Sequence, residues 1–195
     1  IGQVPAILKR EINYDFPDEN INIHQNELES EDLLYLGEQS KSMDDFTKYE
    51  KVIAFKIGKF KNIVAEHLGG PGKTDVECED NEYGDKFNID GKTTKTTLPQ
   101  INPKRLENHR DKNGGKFTIV ITPHFSPGAL NDIENTNNTI IQTEIFIQLI
   151  DNYTKYGKLS SFTPIRTILE KNLGKDSNPD LSEHLIDSFS IKLNY

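Results

Sequence analysis

Two acidic residues and a lysine lie close together in the chain, at spacings that suit metal-dependent chemistry. Asp75 precedes one alternating segment, and Asp90 and Lys92 stand two residues apart in the next one. Carboxylates are the oxygen ligands that Mg²⁺ takes in proteins, usually with several waters retained. A metal held there lowers the pKa of a bound water and offsets charge on a phosphate, and the lysine can orient or deprotonate that water. The three residues therefore suggest metal-dependent phosphodiester hydrolysis.

The segments around these residues predict a β-hairpin that brings them together. In Thr74–Glu79 and in Phe87–Lys92 apolar and polar residues alternate, as on half-buried strands. Asp90 and Lys92 then project from one face, and Asp75 begins the neighbouring strand. Cross-strand neighbours have Cβ atoms about 5 Å apart, so one divalent cation could bridge both carboxylates. Polar residues on an exposed strand face are ordinary, however, and Asp-x-Lys alone is a weak pattern.

A second motif, GGPGKT, resembles a phosphate-binding loop but fails on two counts. The full pattern needs a glycine five residues before the Gly-Lys pair, and His67 occupies that position. The residues after Thr74 alternate like a strand, whereas a phosphate-binding loop opens a helix. Nucleotide binding is therefore disfavoured.

The rest of the chain predicts helices packed around a sheet. A helix is predicted from Asp44 or Asp45 onward, either of which can cap it, because apolar residues recur there at helical spacing. These residues are Phe46, Tyr49, Ile53, Ile57 and Phe60. Phe117–Ile121 is a continuous apolar run, typical of a central strand buried on both faces. Further elements are predicted over 103–112 (helix), 140–141 (short strand), 143–156, 163–174 and 179–189 (helices). This order predicts an α/β layer architecture.

Composition indicates a globular protein in a reducing compartment. Of 195 residues 34% are hydrophobic and 28% charged, and no run of eighteen apolar residues predicts a membrane span. The single cysteine, Cys78, excludes an internal disulfide and fits a cytoplasmic location. The start of the chain shows no signal peptide and no initiator methionine, so we expect a fragment or a processed product.

Residues 1–45 differ in composition from the rest of the chain. They are rich in acidic residues, and their one clear periodic stretch runs from Leu28 to Leu36. We interpret them as an acidic N-terminal segment or linker with one helix, and residues 46–195 as the main domain.

Three stretches, EHLGGPGKTD, FNIDGKTTKTTLP and FTIVITPHF, resemble the cleavage domain of the FokI type IIS restriction endonuclease, a member of the PD-(D/E)xK nuclease superfamily. The matching positions, in the family's order, are His67 to Gly70, Lys73, Asp75, Asp90, Lys92, Leu98, Pro99, His124 and Phe125. The family also has a glutamate seventeen residues before the histidine, where this chain has Glu50. The resemblance covers roughly residues 46–174.

The resemblance implies a restriction-endonuclease-like αβα core, with a central mixed sheet flanked by helices. It further implies that Mg²⁺ is bound at Asp75, Asp90 and Gly91, that Lys92 is the catalytic lysine, and that Glu50 contributes through the metal's waters. Thr74 departs from the family, which has proline before the first aspartate. The interval between the two aspartates is two residues shorter here, and the final twenty residues have no match.

Other residues have two interpretations each. Glu77 and Glu79 share a face with Asp75 and are either a further ligand or part of a solvated face. His124 either contacts phosphate or makes a structural hydrogen bond. One dense basic stretch either faces the DNA backbone or lies on a solvated helix: Lys95, Lys104, Arg105, Arg110, Lys112 and Lys116.

The net charge of −8 is unusual for a protein that binds nucleic acid alone. We therefore expect double-stranded DNA as substrate, delivered by a separate recognition domain or subunit, with a transient dimer of nuclease domains as the resemblance implies. No membrane partner is expected. Two alternatives stay open: another nuclease of the superfamily that acts in repair or on junctions, and a catalytically silent domain that binds DNA or a protein.

Overall fold

A computed structural model of the chain describes residues 25, 27–39 and 42–189, and within them the strands form one mixed sheet. Its five strands lie in sequence order: β1 (Ile63–His67), β2 (Val76–Asp80), β3 (Asp85–Gly91), β4 (Gly115–Thr122) and β5 (Asn138–Gln142). β1, β2 and β3 are antiparallel, whereas β4 and β5 run parallel to β3. The predicted hairpin is therefore β2–β3, and the parallel half is connected through helical crossovers.

Residues 27–30 are helical, and seven further helices lie in the described part of the chain: α1 (Leu33–Gln39), α2 (Met43–Ile57), α3 (Pro103–Asn113), α4 (Pro127–Ile133), α5 (Thr143–Lys155), α6 (Thr163–Lys171) and α7 (Asn178–Phe189). Helix α3 shows why these boundaries arise, because Asn102 caps its first turn and Gly114 ends it in the left-handed conformation. None of the described helices is long and apolar enough to cross a membrane.

Two hydrophobic cores occupy the two faces of the sheet. The larger core combines β-strand residues such as Ile89 and Ile119 with α1, α2, α5, α6 and α7. The smaller core lies on the other face, where Val120 and Ile140 meet Leu106 of α3 and Ile133 of α4. This confirms the predicted α/β architecture with a central mixed sheet between helical layers. It also places Phe117–Ile121 in a strand buried on both faces.

The described part of the N-terminal segment packs against the larger core. Leu28, Leu33 and Leu36 are buried there. The helix predicted from Leu28 to Leu36 is interrupted at residues 31 and 32. The predicted division at residue 45 stays a prediction, and residues 1–24, 26, 40 and 41 of that segment lie outside the described residues.

Three local predictions differ from the structure. Ser42, and not Asp44 or Asp45, caps α2: its side chain accepts from the Asp45 N–H while the Asp45 carboxylate accepts from the Ser42 N–H. Helix α2 ends at Ile57, so Phe60 is a buried residue of the following turn. Strand β1 and helix α4 were not anticipated.

Arg166 of α6 ties the helical layer to the turn of the β2–β3 hairpin. Its guanidinium donates to Asp80 at 3.0 Å, to Asp85 at 3.1 Å and to Glu170 at 2.9 Å, and it stacks 3.8 Å from the ring centre of Tyr83. This network fixes the closed end of the hairpin, and the open end carries the predicted site.

Candidate active site

The hairpin register brings Asp75 and Asp90 to the same point of the sheet. Val76 pairs with Ile89, so the residues immediately before and after that pair lie side by side. The Gly91 N–H donates to Asp75 Oδ2 at 2.8 Å, which fixes the first carboxylate against the end of β3. The predicted juxtaposition of the two aspartates is therefore present in the structure.

Glycines shape the turn before Asp75, and the backbone of this turn is hydrogen-bonded to the backbone of the aspartate. Gly69, Gly70 and Gly72 have positive φ, a conformation that other residues rarely adopt. The Leu68 N–H donates to the Asp75 carbonyl at 2.9 Å. Because the turn leads directly into strand β2 and opens no helix, it lacks the element on which a phosphate-binding loop depends.

Thr74 is the residue at which the sequence departs from the resemblance, directly before the first aspartate. It is buried, and its hydroxyl donates to the Ile89 carbonyl across the hairpin at 3.2 Å. The departure noted in the sequence therefore adds a cross-strand hydrogen bond next to the site and does not disturb it.

Asp90 is the most deeply buried acid of the site. Its side chain is 2% exposed and lies on the face of the smaller core. Arg105 of α3 donates to Oδ1 at 3.2 Å. Lys92 is in ion-pair contact with Oδ2, but that buried oxygen accepts no hydrogen bond from the described residues.

Lys92 lies between the two carboxylates. Its ammonium contacts Asp90 directly and is 3.9 Å from Asp75 Oδ2. Burial, and then the nearby Asp90 charge, raises the pKa of Asp75 to about 7, although Lys92 and the Gly91 N–H act in the opposite direction. The carboxylates of Asp75, Asp90 and Glu50 thus face two cations, Lys92 and the half-exposed Arg105, and a divalent cation would neutralise the negative charge that remains.

Gly91 has no side chain to offer a metal, so only its carbonyl can serve as the predicted ligand. A Cβ at this position would come within 3.2 Å of Ile53 and Tyr49 of α2, so the strand passes close to that helix. The carbonyl oxygen is 3.5 Å from Lys92 Nζ, which keeps it at the site.

Glu50 borders the site from α2 and is held by a histidine. His67 Nε2 lies 2.8 Å from Glu50 Oε2, and both side chains are mostly buried. Glu50 is close enough to Asp75 that its charge contributes to raising the pKa of that aspartate. The sequence marked both positions, but it did not pair them.

The residues present fit a Mg²⁺ ion that also uses water or substrate oxygens. In the described residues no group of three or more His, Cys, Asp and Glu side chains forms a complete metal cage. Mg²⁺ is usually held by one or two carboxylates, with waters and phosphate oxygens completing the octahedron. Asp90 Oδ2, which is buried and in contact with the Lys92 ammonium, is an oxygen that could take such an ion as a further partner.

The residues with two interpretations fall outside this cluster. Glu77 is ion-paired with Lys86 at 2.6 Å, and Glu79 is exposed. His124 contacts Glu38 of α1 at 3.1 Å and thereby connects the end of β4 to the N-terminal segment.

The basic stretch does not form one surface. Arg110, expected at the DNA backbone, is buried and donates to Asn138 at 3.0 Å, because its helical position points toward the sheet. Lys104 pairs with Glu107 at 2.6 Å, and Lys112 donates to the Gly72 carbonyl at 2.9 Å. Only Arg105 of this stretch contacts a predicted catalytic residue.

Sequence reasoning missed two residues on the inner face of α3. Arg105 was one basic residue among six, and His109 was not singled out. His109 lies near Asp90, its Nδ1 is buried without a hydrogen-bond partner in the described chain, and burial followed by Arg105 lowers its pKa. The available signal was the four-residue spacing between them, which places both on one face of a helix.

The chain is similar in sequence to a curated restriction enzyme. The chain is 34% identical over 157 residues to the type II restriction enzyme HgaI of Avibacterium volantium, across 79% of this chain and 32% of that protein. No protein-family model matches the chain. The chain spans about a third of the length of HgaI, the curated relative.

The fold is similar to that of part of the solved restriction endonuclease FokI. The match has a TM-score of 0.53 at 13% identity, covering 82% of this chain and 34% of FokI. FokI bound to DNA matches with the same TM-score at 15% identity, over 84% of this chain and 34% of that one. The resemblance to a type IIS restriction endonuclease that was inferred from the sequence is thereby confirmed. HgaI is similar to the chain in sequence, and FokI is similar to it in fold.

Proposed function

We propose that this chain is the DNA-cleaving part of a type IIS-like restriction endonuclease of the PD-(D/E)xK type, and that it hydrolyses phosphodiester bonds with Mg²⁺. One observation carries the proposal: Asp75, Asp90 and Lys92 converge at the open end of the β2–β3 hairpin. The sequence similarity to HgaI and the FokI fold support the same conclusion.

Asp75, Asp90 and the Gly91 carbonyl are the groups that would hold Mg²⁺. When bound, the ion would lower the pKa of a coordinated water and offset charge on the phosphate. The protein keeps the two carboxylates in place. The Gly91 N–H donates to Asp75, and Asp90 is buried at the end of β3.

Lys92 is the residue that acts on the reacting groups. Its ammonium lies beside both carboxylates, so its position is defined before substrate arrives. From there it orients the attacking water and neutralises the charge that develops on the phosphate.

Glu50 is the second acid–base candidate, and His67 keeps it in place. The 2.8 Å contact restricts the Glu50 carboxylate to one orientation toward the site. A carboxylate in that position accepts a hydrogen bond from a water between it and the metal-binding aspartates.

Double-stranded DNA is the proposed substrate, and the enzyme acts in the cytoplasm. A net charge of −8 repels phosphates at long range, so a recognition domain or subunit would deliver the nuclease to its site. Two nuclease domains would pair transiently to cut both strands.

Cleavage of supercoiled plasmid tests the proposal. We expect Mg²⁺-dependent nicking or linearisation that EDTA abolishes, and a loss of about 10²–10⁴-fold in rate for Lys92→Ala. The matched control is Lys86→Ala, since Lys86 lies on β3, the strand that Lys92 directly follows, and is also ion-paired with an acid. It should cut like the parent chain.

The alternatives give different results in the same assay. A repair or junction nuclease would prefer flapped or four-way DNA over plain duplex. A silent binding domain would retain DNA on a filter but show no cleavage, and Asp90→Ala would leave its metal binding unchanged. No cleavage together with no Mg²⁺ heat signal would overturn the proposal.

A further inference from the structure

One face of helix α3 lines the site opposite the hairpin. Arg105, His109 and Lys112 are spaced at i, i+4 and i+7, so they share that face. The first contacts Asp90, and the last donates to the Gly72 carbonyl in the turn before Asp75. The helix therefore spans the site from the second aspartate to the turn that carries the first.

Arg105 differs from its two neighbours because it is half exposed and pairs with a carboxylate that is proposed to bind the metal. It is 49% exposed, while its partner Asp90 is 2% exposed. Lys112 is already engaged by a backbone carbonyl. A guanidinium offers five donors in a planar fork that suits phosphate oxygens, and a half-exposed arginine can turn without unfolding its helix.

The contact between Arg105 and Asp90 competes with the metal proposed for the same carboxylate. Asp90 already has the Lys92 ammonium at Oδ2 and the Arg105 guanidinium at Oδ1. A divalent ion on this group would be repelled by both cations at a few ångströms. Lys92 is confined between two carboxylates, so Arg105 is the cation that can leave.

We propose that Arg105 exchanges partners during the reaction cycle: it neutralises Asp90 in the metal-free protein and binds a backbone phosphate of the DNA when metal occupies Asp90. This inference rests on the proposed function of the same site. Arg105 is thus a phosphate ligand of the cleavage reaction that also sets the affinity for the metal.

Two binding measurements on the 195-residue chain test the exchange without relying on cleavage. Arg105→Gln should bind Mg²⁺ roughly fivefold more tightly in calorimetry without DNA, because one competing cation is removed. With Ca²⁺ in place of Mg²⁺, it should bind a duplex of about 30 base pairs more weakly, with a salt slope lower by about one. Arg105→Lys should restore part of the duplex affinity.

Lys171→Gln is the matched control. Lys171 is an exposed helical cation paired with Asp180 at 3.0 Å, on a helix that packs against the larger core. It should change neither the Mg²⁺ affinity nor the salt slope.

Unchanged Mg²⁺ affinity in Arg105→Gln, or an unchanged salt slope, overturns the partner exchange. Failure of the proposed function reads out differently, because the parent chain then shows neither plasmid cleavage nor a Mg²⁺ heat signal. When the parent chain does bind Mg²⁺, an unchanged Arg105→Gln variant overturns the partner exchange alone.

Discussion

Both ends of the β2–β3 hairpin carry buried acids paired with cations. The two ends differ in how fully hydrogen bonds and cations compensate those acids. At the turn, buried Asp80 accepts from Arg166 at 3.0 Å, from Asn62 at 2.9 Å and from the Glu82 N–H at 3.0 Å. Burial lowers the pKa of Arg166, but hydrogen bonds to Asp85, Asp80 and Glu170 outweigh it and raise that pKa above its ordinary value.

At the open end the compensation is incomplete. Burial, followed by the Asp90 charge, raises the pKa of Asp75 to about 7, whereas Asp80 at the turn end accepts three hydrogen bonds. A buried charge without full compensation lowers stability, and perturbed carboxylates of this kind are typical of functional sites. The turn end therefore holds the hairpin in shape, while the open end keeps two close carboxylates, those of the proposed metal site.

The largest expected effect comes from removing the cation of the turn end. Arg166→Met should lower the free energy of unfolding by about 3–5 kcal/mol, because it leaves Asp80 buried without its cation. Urea denaturation followed by circular dichroism measures the change. Arg105→Met removes a cation from Asp90 at a half-exposed position and should change stability by less than about 1 kcal/mol. Equal losses for both variants would break the comparison.

The next largest effect is the pH dependence of stability when no metal is bound at the open end. The pKa of Asp75 rises from 3.8 to about 7 on folding, so the folded protein holds this proton more tightly. That contribution to stability is present below pH 3.8 and is lost as the pH rises through 7. In EDTA, the free energy of unfolding of Asp75→Asn should therefore rise relative to that of the parent chain between about pH 4 and pH 8, by at most about 1.4 kcal/mol per pH unit.

Magnesium provides the control for this pH effect. At about pH 8 the ion should stabilise the parent chain through the carboxylates of the open end, by about 2.7 kcal/mol at one hundred times its dissociation constant. Asp75→Asn should show little of this gain. A parallel pH dependence in the two proteins would contradict the incomplete compensation at the open end.

The smallest effect concerns the aromatic ring that covers Arg166. The guanidinium lies 3.8 Å from the ring centre of Tyr83, which is 44% exposed. Tyr83→Leu should cost about 0.5–1 kcal/mol of stability and leave cleavage unchanged. A double-mutant cycle with Arg166→Met isolates the pairwise energy. A coupling energy near zero would show that the hydrogen bonds alone hold the turn.

The parts of the fold that were predictable are those set by neighbours in the chain. The alternation in Thr74–Glu79 and Phe87–Lys92 found the hairpin, because its two strands follow each other and share one period. The run Phe117–Ile121 found the central strand. Strand β1 was missed because it is five residues long and carries a glutamate and a histidine among its apolar residues.

The site was predictable to the extent that it depends on register. Asp75 and Asp90 meet because a hairpin pairs them, whereas Arg105 reaches Asp90 only through the crossover of α3 onto the sheet. No local pattern separates it from the buried Arg110, five positions along the same helix. Helix α4 did carry a signal, Ser126 followed by proline, which marks a helix start. The metal ligands and the catalytic roles stay predictions.

The distance along the chain between Arg166 and its partners has a consequence for the order of events during synthesis. Arg166 lies 86 residues after Asp80 and 81 after Asp85, whereas Gly91 lies 16 residues after Asp75. The hairpin can thus pair early, but the turn end gains its cation only when α6 has been made and docked. Until then the acids at the turn end lack this cation. Docking of α6 onto the hairpin would therefore come late in translation, after the chain has passed residue 166.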